Sequence, residues 1–154
     1  MQLGSGTLDL LPSFTWLHQF ETTSYGVQLS GVIRAEGEND RGYRLGNALE
    51  ALHWIGICPT EKTSFSAGLS YKYLGALKGT QEDIGTMGPA GRSITTAFNE
   101  NHGHERLDAL LGVNVLVFQG HRIAADIRFP LWQDLNGLQL EIDYTATLGW
   151  QYAW

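Results

Sequence analysis

The sequence predicts an all-β chain, an antiparallel up-and-down meander of about seven long strands forming part or all of a transmembrane β-barrel. Three observations carry this. Apolar residues alternate with polar ones at period two along most of the 154 residues. Strand charges gather on the face opposite the apolar one. Short links alternate with long polar ones. Alternate side chains of a strand point to opposite faces, so such a pattern gives a ribbon with one greasy side; a helix would scatter the same residues around its circumference.

Taken in order, the first strand is expected over Thr7–Phe20, with Leu8, Leu10, Pro12, Phe14, Trp16 and Phe20 on the apolar face, interrupted by His18. The second, Tyr25–Glu36, carries Tyr25, Val27, Leu29, Gly31, Ile33 and Ala35 on that face. The third, Tyr43–Ile57, is the poorest; its phase slips near Glu50 and Ala51, which predicts a bulge there. Ser64–Leu74 and Arg106–Phe118 follow with regular alternation, then Arg122–Trp132, whose apolar set ends at Leu131. The last, Leu138–Trp154, alternates throughout. A membrane-crossing strand needs about 9–11 residues, and each of these segments meets that.

Composition removes several classes. Charged residues are 17% of the chain and apolar ones 43%, which excludes a disordered acidic segment. The net charge of −6 argues against a nucleic-acid binder. Cys58 is the sole cysteine, so neither a disulfide framework nor a Cys-rich zinc site is available. The apolar run Ala109–Val113 is cut by Asn114, so no helical span is expected. No lysine or arginine precedes Arg34, and no secretory signal is legible, which suggests a mature or truncated form of an exported protein.

The polar face carries six cations and seven anions. Arg106 and Asp108, Asp126 and Arg128, Glu141 and Asp143, with Arg44 and Glu50, are the candidates for lining a lumen and forming a constriction. A salt-bridge network that fills a narrow lumen is the plainer reading of the same residues. His102-Gly103-His104-Glu105 has metal-like spacing, but a solvated loop is the plainer reading, and no metal or cofactor is expected. His18, His53 and His121 fall near turns. No nucleophile motif is present, and no enzyme activity is expected.

The links Phe20–Tyr25, Ile57–Ser64 and Phe118–Arg122 are short; Gly37–Gly42, the long loop 75–105 and Gln133–Gly137 lie at the other end. With short turns periplasmic and longer loops extracellular, aromatics sort into two belts. Phe20, Tyr25, Trp54, Phe65, Phe118, Trp150, Tyr152 and Trp154 form the periplasmic one. Tyr43, Tyr71, Tyr73, Phe129 and Tyr144 form the outer one.

The final residues, Thr147-Leu148-Gly149-Trp150-Gln151-Tyr152-Ala153-Trp154, resemble the C-terminal assembly signal of outer-membrane barrels, with Thr147, Gly149, Tyr152 and Trp154 in the signal positions. Three stretches, GSGTLDLLPSFTW (4–16), GENDRGYRLGN (37–47) and GHRIAADIRFPLWQDLNGLQLEIDYTATLGWQYAW (120–154), look like the C-terminal part of Gram-negative barrels of the phenol-degradation (meta-pathway) transporter type. The resemblance covers most of the chain except the loop 75–105. It implies an outer-membrane location, contact with outer-membrane lipid and the barrel-assembly machinery, and a small hydrophobic or aromatic cargo. Members of that family are longer, with an export signal and further strands. The single barrel domain 1–154 is therefore expected to be truncated at its N-terminus, an expectation that the odd strand number shares. A complete eight-stranded barrel using an extra strand near Ser93–Phe98, a soluble ligand-binding β-barrel and an outer-membrane enzyme are the alternatives.

Overall fold

The computed structural model describes residues 4–40, 42–79 and 98–154. Ten strands occur among them: β1 (Asp9–Leu10), β2 (Ser13–Gln19), β3 (Thr23–Arg34), β4 (Tyr43–Arg44), β5 (Ala48–Thr60), β6 (Thr63–Leu74), β7 (Lys78–Gly79), β8 (His104–Phe118), β9 (His121–Leu135) and β10 (Thr145–Tyr152). Eight of them form one antiparallel sheet in the order β1-β3-β5-β6-β8-β9-β10, with β2 also on β3. β4 and β7 make a separate small ribbon.

β1 and β2 are one strand path interrupted by Pro12. The pairs Leu10↔Ile33 and Ser13↔Ser30 share one register, and the Gly31 N–H still donates to the Pro12 carbonyl at 2.9 Å. Proline has no N–H to return, so the ladder lapses there without a change of phase. The large sheet thus has seven strand paths, as the alternation predicts. The described residues show no ladder partner on the outer side of β2 or of β10.

Register fixes the faces, because directly paired residues share one. Leu29, Ala51, Tyr71, Leu107 and Trp132 follow one another across the sheet on the apolar face. Ser30, Glu50, Lys72, Arg106 and Gln133 do the same on the polar face. The polar face is the sheltered one. Ser70 and Asp108 are fully buried, whereas no described apolar residue is buried. On the other face Leu29, Ile55, Leu69 and Leu111 are each more than 40% exposed in mid-strand. Arg128 on β9 reaches Glu50 on β5 across two intervening strands. Side chains stand roughly perpendicular to a sheet, so this contact requires the sheet to curl with its polar face concave.

The connections alternate as expected. Phe20–Thr22, Glu61–Lys62 and Gln119–Gly120 close one end; 35–47, 75–103 and 136–144 span the other. Gly120 turns at φ +78°, a conformation that glycine adopts without steric cost.

Four expectations need correction. The phase does not slip at Glu50–Ala51, where β5 pairs without a break on both sides. The break falls at 45–47, where Gly46 passes so close to the Gly75 backbone that a side chain would collide, and an irregularity follows between Ile57 and Thr60. The last strand is only Thr145–Tyr152, not Leu138–Trp154. The Leu138 N–H goes to the Asn101 side chain at 2.8 Å, and the Gln133 amide donates to the Ile142 carbonyl at 3.1 Å and accepts from its N–H at 3.3 Å. A side chain thereby takes the place of the ladder. Leu131 does not end the apolar set of β9. The register shifts between Leu107 and Asp108, opposite Pro130, and brings Trp132 rather than Leu131 alongside Leu107. Trp54 does not share the outward face expected of the short-turn aromatic belt, because it pairs with Gly26 and Gly68 on the polar face. The extra strand considered near Ser93–Phe98 lies outside the described residues apart from Phe98.

Candidate functional site

The concave face carries one cluster of charges at its centre. Alternation along β5, β6, β8 and β9 aims Glu50, Ser70, Lys72, Arg106, Asp108 and Arg128 to the same side. Three donors converge on Oε1 of Glu50: the Ser70 hydroxyl at 3.0 Å, Lys72 Nζ at 3.3 Å and Arg128 Nη1 at 3.5 Å. Asp108 takes Arg106 Nε, 2.8 Å from Oδ1 and 3.0 Å from Oδ2, with Arg128 Nη1 3.8 Å from Oδ2. Oδ1 has the charge contact without hydrogen-bond alignment. Arg128 links the two carboxylates, so the five charges act as a unit with three cations and two anions.

A fully buried carboxylate is costly unless it is paired. The Asp108 side chain is 1% exposed and that of Arg106 10%. Pro130 lies opposite Asp108, next to the point where β9 carries one residue more than β8; a bulge of this kind bends the strand that holds it.

Five of the eight residues predicted to line the lumen are on the concave face: Glu50, Arg106, Asp108 and Arg128 come together in the cluster, while Asp126, two residues along β9, is exposed and outside it. Three are not. Arg44 sits in the small β4–β7 ribbon and donates to the Glu36 carbonyl at 3.5 Å. Glu141 and Asp143 precede β10 in the unpaired stretch 136–144 and are exposed. Ser70 and Lys72, absent from the predicted set, belong to the cluster. Lys72 was legible as an inward charge on Ser64–Leu74; Ser70 carried no signal beyond its parity.

Nearer the long loops, Asp9 and Arg34 form a second inward ion pair across β1 and β3. His104 and Glu105, adjacent on β8, fall on opposite faces, so the metal-like spacing does not converge. Glu105 instead accepts the Tyr71 hydroxyl at 2.8 Å.

The short-turn end gathers rings on the apolar face. His18 stacks beside Trp16 and meets Phe20 edge-on at 4.5 Å, and Tyr25 lies 4.9 Å from His53. At the opposite side of the sheet, Tyr152 lies 4.6 Å from His121, and Trp150 Nε1 donates to His121 Nδ1 at 3.2 Å. The four predicted signal positions divide by face: Thr147 and Gly149 are inward, while Tyr152 shares the outward face with Trp150 and lies 6.1 Å ring to ring from Trp154.

No protein-family model, curated protein or solved structure matches the chain.

Proposed function

We propose that this chain is the wall of a bacterial outer-membrane β-barrel, of the kind that conducts small hydrophobic or aromatic molecules. The observation that carries the reading is the inversion of burial. Among the described residues the fully buried side chains are Ser70 and Asp108, and most of the exposed large apolar side chains of the strands lie on the convex face. A soluble β-barrel does the reverse, with apolar residues inside. Such an extended apolar surface is costly in water and favourable against hydrocarbon. Further support comes from the two end types, short turns against long loops, and from rings with polar edges gathered at the short-turn end. No helix among the described residues is long and apolar enough to cross a membrane.

The concave face supplies the path. A bilayer-crossing sheet keeps its backbone groups paired within the ladder and turns polar side chains to a wet interior. In this reading the Glu50–Asp108 cluster narrows that interior, and its surplus cation sets the local field. The assembly machinery and outer-membrane lipid are the partners. The family of phenol-degradation transporters is the proposed relationship.

The test is co-flotation with lipid vesicles, with heat-modifiable gel mobility as the measure of folding. Wild type is expected to float and to shift on heating. Leu111→Arg, on the convex face, is expected to lose both, since an arginine facing lipid at mid-depth costs about 2–4 kcal/mol. Asn114→Arg, on the concave face, is expected to keep both. Equal behaviour of the two variants, or a wild type that stays monomeric in buffer, contradicts the reading.

A further inference from the structure

We propose that the concave face holds a binding subsite for a small amphiphilic anion, an apolar body with one negatively charged head, seated between an apolar collar and the charged cluster. The proposal deepens the channel reading and rests on it for its biological role; the site itself is built from the register, the cleft and the ion pairs.

The register stacks two rows on the concave face. Val32↔Ala48, Ala48↔Leu74, Leu74↔His104 and His104↔Leu135 are successive ladder pairs, and Leu11 continues the row on the first strand path. These are inward positions, where most other rows carry polar or charged residues. One step toward the short turns, two residues along each strand, lies the row Ser13, Ser30, Glu50, Lys72, Arg106 and Gln133. An open cleft of about 460 Å³ joins the two rows, walled by Leu11, Val32, Ala48 and Leu74 and bounded by Glu50 and Lys72. At about 30 Å³ for a water-sized group, the cleft takes a body of roughly ten to fifteen heavy atoms.

Charge decides the head group. Glu50 spends Oε1 on Ser70, Lys72 and Arg128, and Asp108 is engaged by Arg106 and Arg128, so the unit retains one positive charge. Lys72 carries three N–H donors, and Glu50 is its ion-pair partner in the structure. Lys72 also borders the cleft. A carboxylate on the ligand meets that ammonium at the junction of the rows, while its hydrocarbon covers the collar. A cationic head meets the surplus charge, and a neutral alcohol gains the collar alone.

The experiment is calorimetric titration of the full chain in lipid nanodiscs with n-octanoate, n-octanol and n-octylammonium, with protein-free nanodiscs subtracted. Octanoate is expected to bind most tightly and octylammonium most weakly. Lys72→Met is expected to lower octanoate affinity about tenfold, as removal of one charge-assisted hydrogen bond does, and to leave octanol unchanged. Ala48→Trp, which fills the collar, is expected to weaken both. A wild type that binds octanol or octylammonium at least as well as octanoate overturns the proposal, as does an Ala48→Trp protein with undiminished octanoate binding. Should Lys72→Met fail to fold, the three wild-type titrations and Ala48→Trp still decide. If the chain proves not to enter bilayers, the same titrations are made in buffer, so the subsite and the channel reading fail separately.

Discussion

Asp108 shows how much one residue can depend on its neighbours. Its side chain is 1% exposed, and Arg106 and Arg128 are its ionic partners. Removing one partner of a sheltered pair strands the other, at about 3–5 kcal/mol. The concave face is open to water at the unpaired edges, which places the expected cost of Asp108→Ala at the low end, about 3 kcal/mol. Asp126 lies on the same face but is exposed, so Asp126→Ala is expected to cost less than about 0.5 kcal/mol. Urea unfolding midpoints in a fixed lipid or detergent check the contrast. Equal losses would mean that Asp108 is more hydrated than its burial indicates. The period-two pattern was enough to aim Glu50, Arg106, Asp108 and Arg128 inward, because parity is a local property of a strand. It could not say which charges would touch. Contact between Arg128 and Glu50 depends on how far three strand spacings curl, and a sequence with one residue per position carries no direct record of curvature.

At the scale of the element, glycine and proline placed what alternation could not. Trp54 is an inward aromatic accommodated by two glycines. A Cβ at Gly26 would run into the indole, and one at Gly68 would approach the His53 carbonyl oxygen to 2.5 Å. Gly31, on the convex face of the same strand, leaves room: a Cβ there would lie 3.5 Å from its nearest neighbour, the Ala48 carbonyl oxygen. Gly26→Ala is therefore expected to destabilise by about 1–3 kcal/mol, and Gly31→Ala by no more than about 0.5 kcal/mol, measured by the same unfolding midpoints. An undisturbed Gly26→Ala protein would show that Trp54 moves aside freely. The bulge opposite Pro130 had a signal in the sequence, since proline interrupts ladders and favours bulges, yet unbroken alternation through Leu131 concealed it. The early end of β10 had no such signal. Leu138–Tyr144 alternates as a strand should, but Asn101 and Gln133, far away in sequence, claim its backbone groups. Long-range side-chain competition of this kind is absent from any local pattern.

The terminal strand joins element to assembly. Tyr152 faces outward beside His121, with Trp154 next to it, whereas Gln151 pairs with Arg122 on the inner face. An aromatic ring with a polar edge suits the boundary between hydrocarbon and water. In an export-competent form, changing both Tyr152 and Trp154 to Ser is expected to abolish heat-modifiable barrel in the outer-membrane fraction. Gln151→Ser is expected to leave it intact. Equal insertion of the two would mean that the terminal aromatics are not read during assembly.

For the whole molecule, direction along the sheet sets a condition on closure. Seven antiparallel strand paths leave β2 and β10 running the same way. Pairing them directly would be parallel, so an all-antiparallel ring needs an odd number of further strands between these edges. The edges are also where shelter is least: β2 is exposed along all seven residues, and β10 along seven of its eight. The buried polar side chains of the sheet, Ser70, Arg106 and Asp108, all lie on the central strands β6 and β8.

The central claim is that the convex face meets lipid and the concave face meets water. It is tested most directly by spin labels placed singly from Ala109 to Val115 along β8, in a Cys58→Ser background reconstituted in bilayers. Collision rates with oxygen, which concentrates in hydrocarbon, and with a water-soluble nickel chelate are measured at each position. The account predicts a strict period of two: oxygen dominant at 109, 111, 113 and 115, the nickel chelate dominant at 110, 112 and 114. The same period with the two reagents exchanged, or equal access to nickel at every position, would contradict it.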